Sequence, residues 1–230
     1  QIRMKFFTAQ MEVVPADFEE NFGRVAEIAK RAKESGAEIA VFPEMFVCGF
    51  NYKKNLEYIR ENGDKAERKI AEIAKDSKIA ICGTLPHLCD GEEMPRNRMI
   101  LVDENGAEIA HYDKIHLFPP MKEDRHVSAG NEIVVVDTKW GKLGLAICYD
   151  LRFPEMFAEM KARGAETFIV SAAFPHPRSE DWRTLIRARA AENNCRMVAV
   201  NRIGTESFGK TAAEYCGMSA IISNNGETLS

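Results

Sequence analysis

In the first third of the chain, segments with the apolar pattern of strands alternate with segments that have the apolar pattern of helices. Residues 4–11, 37–44 and 78–86 are short apolar runs of strand length. Between the first two, apolar residues recur at helical spacing, and Asp17 followed by Glu20 forms a capping-box pattern. The pattern predicts a helix that begins after Asp17 and ends at Ser35 and Gly36. A second helix is predicted over residues 65–75.

The middle of the chain has the pattern of antiparallel hairpins, and the last part returns to alternation. Residues 98–114 and 132–148 each predict two strands, with turns at 103–106 and 139–141. Pro154 suits the first turn of a helix ending at Gly164, and residues 179–193 predict another helix. Further strands are predicted over residues 166–173, 195–204 and 217–223. This order indicates an α/β protein with mixed sheets inside and helices outside, and we expect residues 1–230 to form one domain.

Composition limits the classes of partner. The 230 residues carry a net charge of −4 with both signs mixed, and no basic block is present, which argues against nucleic acid or an anionic membrane as partner. No apolar run approaches the ~18 residues that span a bilayer. Six scattered cysteines without a C-x-x-C pair favour a reducing cytoplasm over a disulfide framework. We expect no metal site, because His111 and His116 fall on opposite faces of a predicted strand.

Three reactive groups stand at predicted strand ends: Glu44, Lys114 and Cys148. Strand ends at one sheet edge are where α/β proteins build sites. A thiol could attack an amide or nitrile carbon, a carboxylate could accept the thiol proton, and an ammonium could favour the thiolate and hold the resulting anion. Each residue alone also has a structural interpretation, as a turn acid, a solvated strand end and a core cysteine.

The segments around these residues, "FPEMFVCGF", "YDKIHLF" and "AICYDLRFPE", resemble in order the three signature segments of the nitrilase superfamily of carbon–nitrogen hydrolases. The resemblance implies a four-layer αββα sandwich, with Glu44 as general base, Lys114 as transition-state stabiliser and Cys148 as nucleophile. It also implies a second glutamate that lines the site, for which Glu123 is expected and Asp124 is the rival. It implies no metal and no organic cofactor.

The segment between residues 171 and 193 most resembles the ω-amidase-like branch, which implies a dicarboxylic acid monoamide as the small-molecule substrate. Tyr149, Arg152 and Arg178 are the expected substrate-binding residues, because a distal carboxylate needs a cation. Either arginine could instead pair with an acid or be solvated. The alternatives are a deaminated glutathione amidase, another amidase or nitrilase, and a non-catalytic scaffold. Relatives usually continue beyond residue 223, so we expect that a C-terminal segment is missing here and that the protein is a homodimer or higher homo-oligomer.

Overall fold

The computed structural model describes residues 5–230, and two five-stranded sheets form its centre. The first sheet contains, in spatial order, β1 (Phe6–Thr8), β2 (Ile39–Val41), β3 (Ala80–His87), β4 (Arg96–Val102) and β5 (Glu108–Asp113). The strands β1, β2 and β3 run parallel to one another, β4 is antiparallel to β3, and β5 is antiparallel to β4. Therefore β5 runs in the same direction as β2 and β3.

The second sheet also combines parallel and antiparallel strand pairs. It contains β6 (Val135–Thr138), β7 (Gly141–Ile147), β8 (Thr167–Ala172) and β9 (Arg196–Asn201), with β12 (Ala220–Ile222) beyond β9. The strands β7, β8 and β9 are parallel, and the two edge strands are antiparallel to them. A separate hairpin is formed by β10 (Ile203–Phe208) and β11 (Thr211–Cys216).

In the part of the chain that the structure describes, five helices cover the outer faces of the sheets: α1 (Phe18–Glu34), α2 (Tyr52–Asn62), α3 (Lys65–Ser77), α4 (Pro154–Ala162) and α5 (Ser179–Asn193). The first three belong to the first sheet, where α1 packs against α3, and α4 and α5 pack on the second sheet. Within residues 5–230, no helix combines the length and the apolar character needed to cross a membrane.

The strands β2 and β3 inside the first sheet are buried on both faces. Ile39 and Val41 belong to the apolar cluster that includes the second sheet, whereas Ala40 between them belongs to the cluster around α1 and α3. Successive side chains of a strand point to opposite faces, so one face meets the other sheet and the other face meets helices. The predicted αββα sandwich is confirmed.

The predicted cap of α1 is also confirmed. Asp17 accepts a hydrogen bond from the Glu20 N–H at 3.1 Å, and the helix ends at Ser35, followed by Gly36 with φ +80°. The left-handed conformation at Gly36 is one that glycine adopts without steric cost, which explains a clean helix end there. The bounds of α5 agree with the predicted 179–193.

Four parts of the structure differ from the sequence prediction. The helix α2 was not anticipated, because only Asn55 and Ile59 in it are buried and the apolar period is weak. The predicted strand 195–204 is interrupted at Arg202, where the chain turns from β9 into the hairpin. β11 was missed because four of its six residues are at least partly exposed and show no apolar alternation. His116 lies beyond the end of β5, so the argument that it faces away from His111 on one strand is wrong.

Candidate active site

The three reactive residues all follow strands that end at one edge of the sandwich. Glu44 comes three residues after β2, Lys114 directly follows β5, and Cys148 directly follows β7. The two sheets are joined beside them, since the Ser171 hydroxyl donates to the Phe42 carbonyl at 2.7 Å and the Glu44 N–H donates to the Ala172 carbonyl at 3.3 Å. Because β2 and β5 run in the same direction, their carboxyl ends meet at this edge.

Left-handed backbone marks the turns that carry Glu44, Glu123 and Cys148. Cys148 itself has φ +47°, Met45 after Glu44 has φ +51°, and Lys122 before Glu123 has φ +55°. Non-glycine residues adopt this conformation uncommonly, and such residues cluster at functional sites, where the surrounding structure holds them. At Cys148 the turn ends β7 at Ile147 and starts a 3₁₀ turn over Cys148–Arg152, so the thiol stands at the strand–helix junction.

The ammonium of Lys114 is the centre of the buried charges. Its Nζ lies 2.8 Å from Glu44 Oε1, 3.1 Å from Glu123 Oε1 and 2.8 Å from Glu123 Oε2. A lysine ammonium has three hydrogens, and each has a carboxylate oxygen in reach. All three side chains are about 98 % buried or more. Asn97 Nδ2 donates to Glu44 at 2.8 Å and to Glu123 at 3.2 Å, so this amide bridges the two carboxylates.

Burial and charge shift the pKa values of the three reactive groups in the same direction. Burial is the largest cause that raises the pKa of Glu44; the neighbouring Lys114 ammonium opposes it and Glu123 adds to it. Burial alone would lower the pKa of Lys114, but the carboxylates of Glu123 and Glu44 outweigh it, so that pKa is raised well above the ordinary lysine value. The ammonium therefore stays charged throughout the neutral range.

The thiol of Cys148 is neutral in the free protein. Burial, followed by the charge of Glu44, raises its pKa well above the ordinary value, although Lys114 and a hydrogen bond from the Ala173 backbone lower it. The expectation that the ammonium would favour a thiolate therefore describes a real but smaller effect. A neutral thiol beside the Glu44 carboxylate is the arrangement for proton removal during attack, since a carboxylate can take the proton as the sulfur bonds to carbon.

Glu123 and Asp124 are placed differently. Glu123 is 2 % exposed and also accepts a hydrogen bond from the Phe118 N–H at 2.7 Å, whereas Asp124 is exposed. Of the two candidates, only Glu123 contacts Lys114. The short 3₁₀ turn Glu123–Arg125, after left-handed Lys122, directs Glu123 inward.

A cavity of about 400 Å³ opens onto these residues. Its walls include Tyr149, Arg152 and Arg178, the three residues expected to bind substrate. Arg152 forms an ion pair with Asp181, and Arg178 Nη1 lies 3.5 Å from the same carboxylate. One carboxylate shared by two guanidiniums leaves a net positive charge at this wall. The remaining lining is mainly aromatic and apolar: Phe50, Tyr52, Phe118, Pro120, Met121, Ala173, Phe174, Pro175, Ala213 and Tyr215.

Asp150, two residues after the thiol, joins the turn that carries Cys148 to the loop that carries Lys114. Its Oδ2 accepts from the Tyr112 hydroxyl and the Ile147 N–H, both at 2.8 Å. Its Oδ1 accepts from the His116 N–H at 3.2 Å and lies 2.7 Å from His116 Nδ1. The carboxylate is fully buried, and the four partner atoms belong to three residues that lie within two positions of Lys114 or Cys148.

Sequence reasoning missed Asn97, Asp150 and Tyr215. Asn97 is a polar residue at the start of an apolar strand, and Asp150 lies within the segment around Cys148, so both carried a detectable signal. Tyr215 lies in β11, which the pattern did not predict at all. Within residues 5–230, no three His, Cys, Asp or Glu side chains are grouped as metal ligands. All six cysteines, each within that range, are free thiols.

Comparison with known proteins bears on what this site does. The sequence pattern of the carbon–nitrogen hydrolase family matches residues 8–230. A deaminated glutathione amidase of Dictyostelium discoideum is 32% identical over 229 residues, covering 92% of this chain and 77% of that protein. A 2-oxoglutaramate amidase of Bacillus subtilis (strain 168) is 32% identical over 218 residues, covering 92% of this chain and 82% of the relative.

Two solved structures with a similar fold are also described as amidases. A mutant amidase from Nesterenkonia sp. AN1, in which acrylamide has added to the active-site cysteine, superposes with a TM-score of 0.91 at 29% identity. The superposition covers 99% of this chain and 88% of that one. A second mutant of the same enzyme, described as an amidase from the nitrilase superfamily, gives a TM-score of 0.90 over 99% of this chain and 85% of that one.

Proposed function

This chain belongs to the carbon–nitrogen hydrolase family and is a cysteine-dependent amidase of the nitrilase superfamily, and from that premise we propose that Cys148, Glu44 and Lys114 perform the hydrolysis. The expectation of an enzyme, against the alternative of a scaffold, is confirmed by these relatives. The observation that carries the assignment of residues is the buried cluster in which Lys114 lies 2.8 Å from both Glu44 and Glu123 beside the Cys148 thiol.

The first half-reaction is acylation of the thiol. Glu44 takes the proton from Cys148 as the sulfur attacks the amide carbon, and the carbonyl oxygen becomes an oxyanion. Lys114 and a backbone N–H stabilise that negative charge, since preformed donors in a buried site cost no reorganisation. Glu44 then gives its proton to the amide nitrogen, the C–N bond breaks, and ammonia leaves with a thioester on Cys148.

The second half-reaction is hydrolysis of the thioester. Glu44 takes a proton from water, the hydroxide oxygen bonds to the thioester carbon, and the sulfur leaves as it regains the proton. The products are a carboxylic acid and the free enzyme. Glu123 also bonds Lys114, and Asn97 donates to both carboxylates, which keeps Glu44 in place between proton transfers.

We propose that the substrate is the ω-amide of a dicarboxylic acid. Arg152 and Arg178 lie in the wall of the cavity that contains Cys148, and their shared partner Asp181 compensates only one of the two charges. A substrate carboxylate can make charge-assisted hydrogen bonds there. The 32% identity to a 2-oxoglutaramate amidase supports this choice. A deaminated glutathione amidase is the second candidate, because a relative with that activity is equally similar.

Hydrolysis of a panel of amides tests both parts of the proposal, with release of ammonia as the readout, or of cysteinylglycine for deaminated glutathione. The panel contains glutaramate, 2-oxoglutaramate, deaminated glutathione, butyramide, butyronitrile and a carbamoyl amine. We expect the dicarboxylic monoamides to have the highest kcat/KM, full activity in EDTA, and a covalent acyl adduct on Cys148 in quenched turnover. Cys148→Ala should remove hydrolysis and keep the fold, whereas Cys82→Ala should keep activity. Preference for butyramide would refute the substrate class, and an active Cys148→Ala enzyme would refute the nucleophile.

A further inference from the structure

The hairpin β10–β11 brings one polar group to the cavity that the mechanism above does not use, the hydroxyl of Tyr215. Tyr215 is 3 % exposed and lines the cavity that contains Cys148 and Glu44. Its hydroxyl oxygen is buried and has no hydrogen-bond partner. Buried polar groups in native proteins are nearly always hydrogen-bonded, so an orphan at the wall of a binding cavity indicates a partner that arrives with the ligand.

The position of this ring is held by its surroundings. The guanidinium carbon of Arg202 lies 4.3 Å from the ring centroid of Tyr215, and Arg202 is itself fully buried in an ion pair with Glu206 at 2.6 Å. Glu206 also accepts a hydrogen bond from the Phe50 N–H at 2.7 Å, which ties the hairpin to the loop after Glu44. A donor fixed in this way binds an acceptor with little loss of side-chain entropy.

Tyr215 and the arginine wall belong to connected segments. Tyr215 forms a β-bridge with Pro175, and the Cys216 N–H donates to the Phe174 carbonyl at 3.0 Å. The Arg178 N–H donates to the Pro175 carbonyl at 2.9 Å, so the same short segment positions Arg178. Pro175, Arg178 and Tyr215 therefore belong to one connected part of the wall of the cavity that also contains Cys148.

The charge around Tyr215 decides which kind of acceptor can bind. Burial, the largest cause, raises the pKa of its hydroxyl; the Arg202 guanidinium opposes this, and Glu206, Glu44 and Cys148 add to it. The phenol is therefore protonated in the neutral range and can donate a hydrogen bond. Because Arg202 is paired with Glu206, and Lys114 faces the two carboxylates of Glu44 and Glu123, one negative charge remains unbalanced, so an anionic oxygen is disfavoured there and a neutral oxygen is not.

We infer that Tyr215 is a specificity-determining residue whose hydroxyl donates a hydrogen bond to a neutral oxygen, a keto or hydroxyl group, on the acyl chain of the substrate. The inference rests on the proposed amidase function and deepens it. The substrate then has three recognised parts: the amide at Cys148, a carboxylate at Arg152 and Arg178, and a neutral oxygen between them. An amide without that oxygen leaves the buried hydroxyl unpaired, which weakens binding of its transition state.

The test compares two substrates that differ only in this oxygen, 2-oxoglutaramate and glutaramate, with the wild type and Tyr215→Phe. Both substrates carry the same carboxylate and amide, so contacts to Arg152, Arg178 and Cys148 cancel in the ratio. We expect the wild type to prefer 2-oxoglutaramate in kcat/KM, and Tyr215→Phe to lower that preference about tenfold while glutaramate changes by less than about twofold.

Tyr58→Phe is the control for the loss of a tyrosine hydroxyl, because the Tyr58 hydroxyl also has almost no accessible surface but does not line the cavity. It should leave both kcat/KM values unchanged, and thermal unfolding of each variant verifies that it is folded. If Tyr215→Phe lowers kcat/KM equally for both substrates, or for neither, the inference is overturned while the proposed function stands. If butyramide is hydrolysed and neither acid substrate is, the proposed function fails, and this inference fails with it.

Discussion

Replacing Asp150 with asparagine tests how the site is held together, because Asp150 does not bond the side chains of Cys148 or Lys114. It bonds residues within two positions of them. Its four hydrogen bonds are divided between the two oxygens, two on Oδ1 and two on Oδ2. Asparagine has one oxygen and one NH₂ group, and each carboxylate oxygen has one partner that can only donate, the Ile147 N–H on Oδ2 and the His116 N–H on Oδ1. The Tyr112 hydroxyl and the His116 ring can accept instead of donating. The replacement therefore removes at least one hydrogen bond, to a main-chain N–H, in either orientation of the amide.

The magnitude follows from that main-chain bond. A hydrogen bond to a charged group contributes ~1.5–3 kcal/mol, so its loss lowers the free energy of unfolding by about 1.5–3 kcal/mol. The turn that carries the thiol is then less firmly tied to the lysine loop. A displacement of roughly 1 Å at a reacting group can cost ~10²-fold in rate, so we expect kcat to fall at least about tenfold in the folded variant.

Asp103→Asn is the matched control for this measurement. In the exposed turn between β4 and β5, a single oxygen, Asp103 Oδ1, accepts both main-chain bonds, from Asn105 at 2.8 Å and Ala107 at 2.9 Å. An asparagine oxygen can keep both, so its unfolding free energy should change by less than about 1 kcal/mol. Urea unfolding followed by circular dichroism, with kcat measured at saturating substrate, gives both quantities. An Asp150→Asn protein within about 1 kcal/mol of wild type and with normal kcat would refute the argument.

Three further predictions concern the charges and the backbone of the site. Lys114→Met should lower kcat by ~10²–10³-fold, because it removes the proposed oxyanion stabiliser. Lys139→Met, at an exposed lysine, should leave kcat unchanged. A near-normal kcat for Lys114→Met would contradict the mechanism. Since Glu44 acts as a base only when ionised and burial raises its pKa, kcat/KM should fall with decreasing pH through a pKa above the ordinary 4.5, and a limb at or below that value would exclude Glu44 as the base. Lys114→Met should move this limb to still higher pH, because Lys114 lowers the pKa of Glu44. A Cβ at Gly130 would lie 2.2 Å from the Asp113 carbonyl oxygen, so Gly130→Ala should displace Lys114, lower kcat and cost ~1–3 kcal/mol of stability. Gly23 in α1 has open space around it, so Gly23→Ala should stabilise the protein by up to ~1 kcal/mol. Equal effects of the two substitutions would be inconsistent with this packing.

The sequence by itself determined the elements whose physics is local. The cap at Asp17, the helical period behind it and the terminating Gly36 are decided within one segment, which is why the bounds of α1 could be predicted. The apolar runs of β2, β7 and β8 are likewise local, and their ends located Glu44 and Cys148. The order of three short motifs was enough to indicate the family and the reaction class.

Only the tertiary structure decided how groups distant in the chain act on one another. The choice of Glu123 over Asp124 at the Lys114 ammonium depends on the left-handed turn at Lys122, and the role of Asp150 depends on where Tyr112 and His116 lie. The neutral state of Cys148 follows from burial and from Glu44, which is 104 residues away in the sequence, and no local pattern encodes either. Tyr215 comes from an exposed hairpin without apolar period, so its place at the cavity wall became visible only when β11 paired beside Pro175. Desolvation, charge interaction and hydrogen-bond partners are properties of positions in space, and the fold alone supplies them.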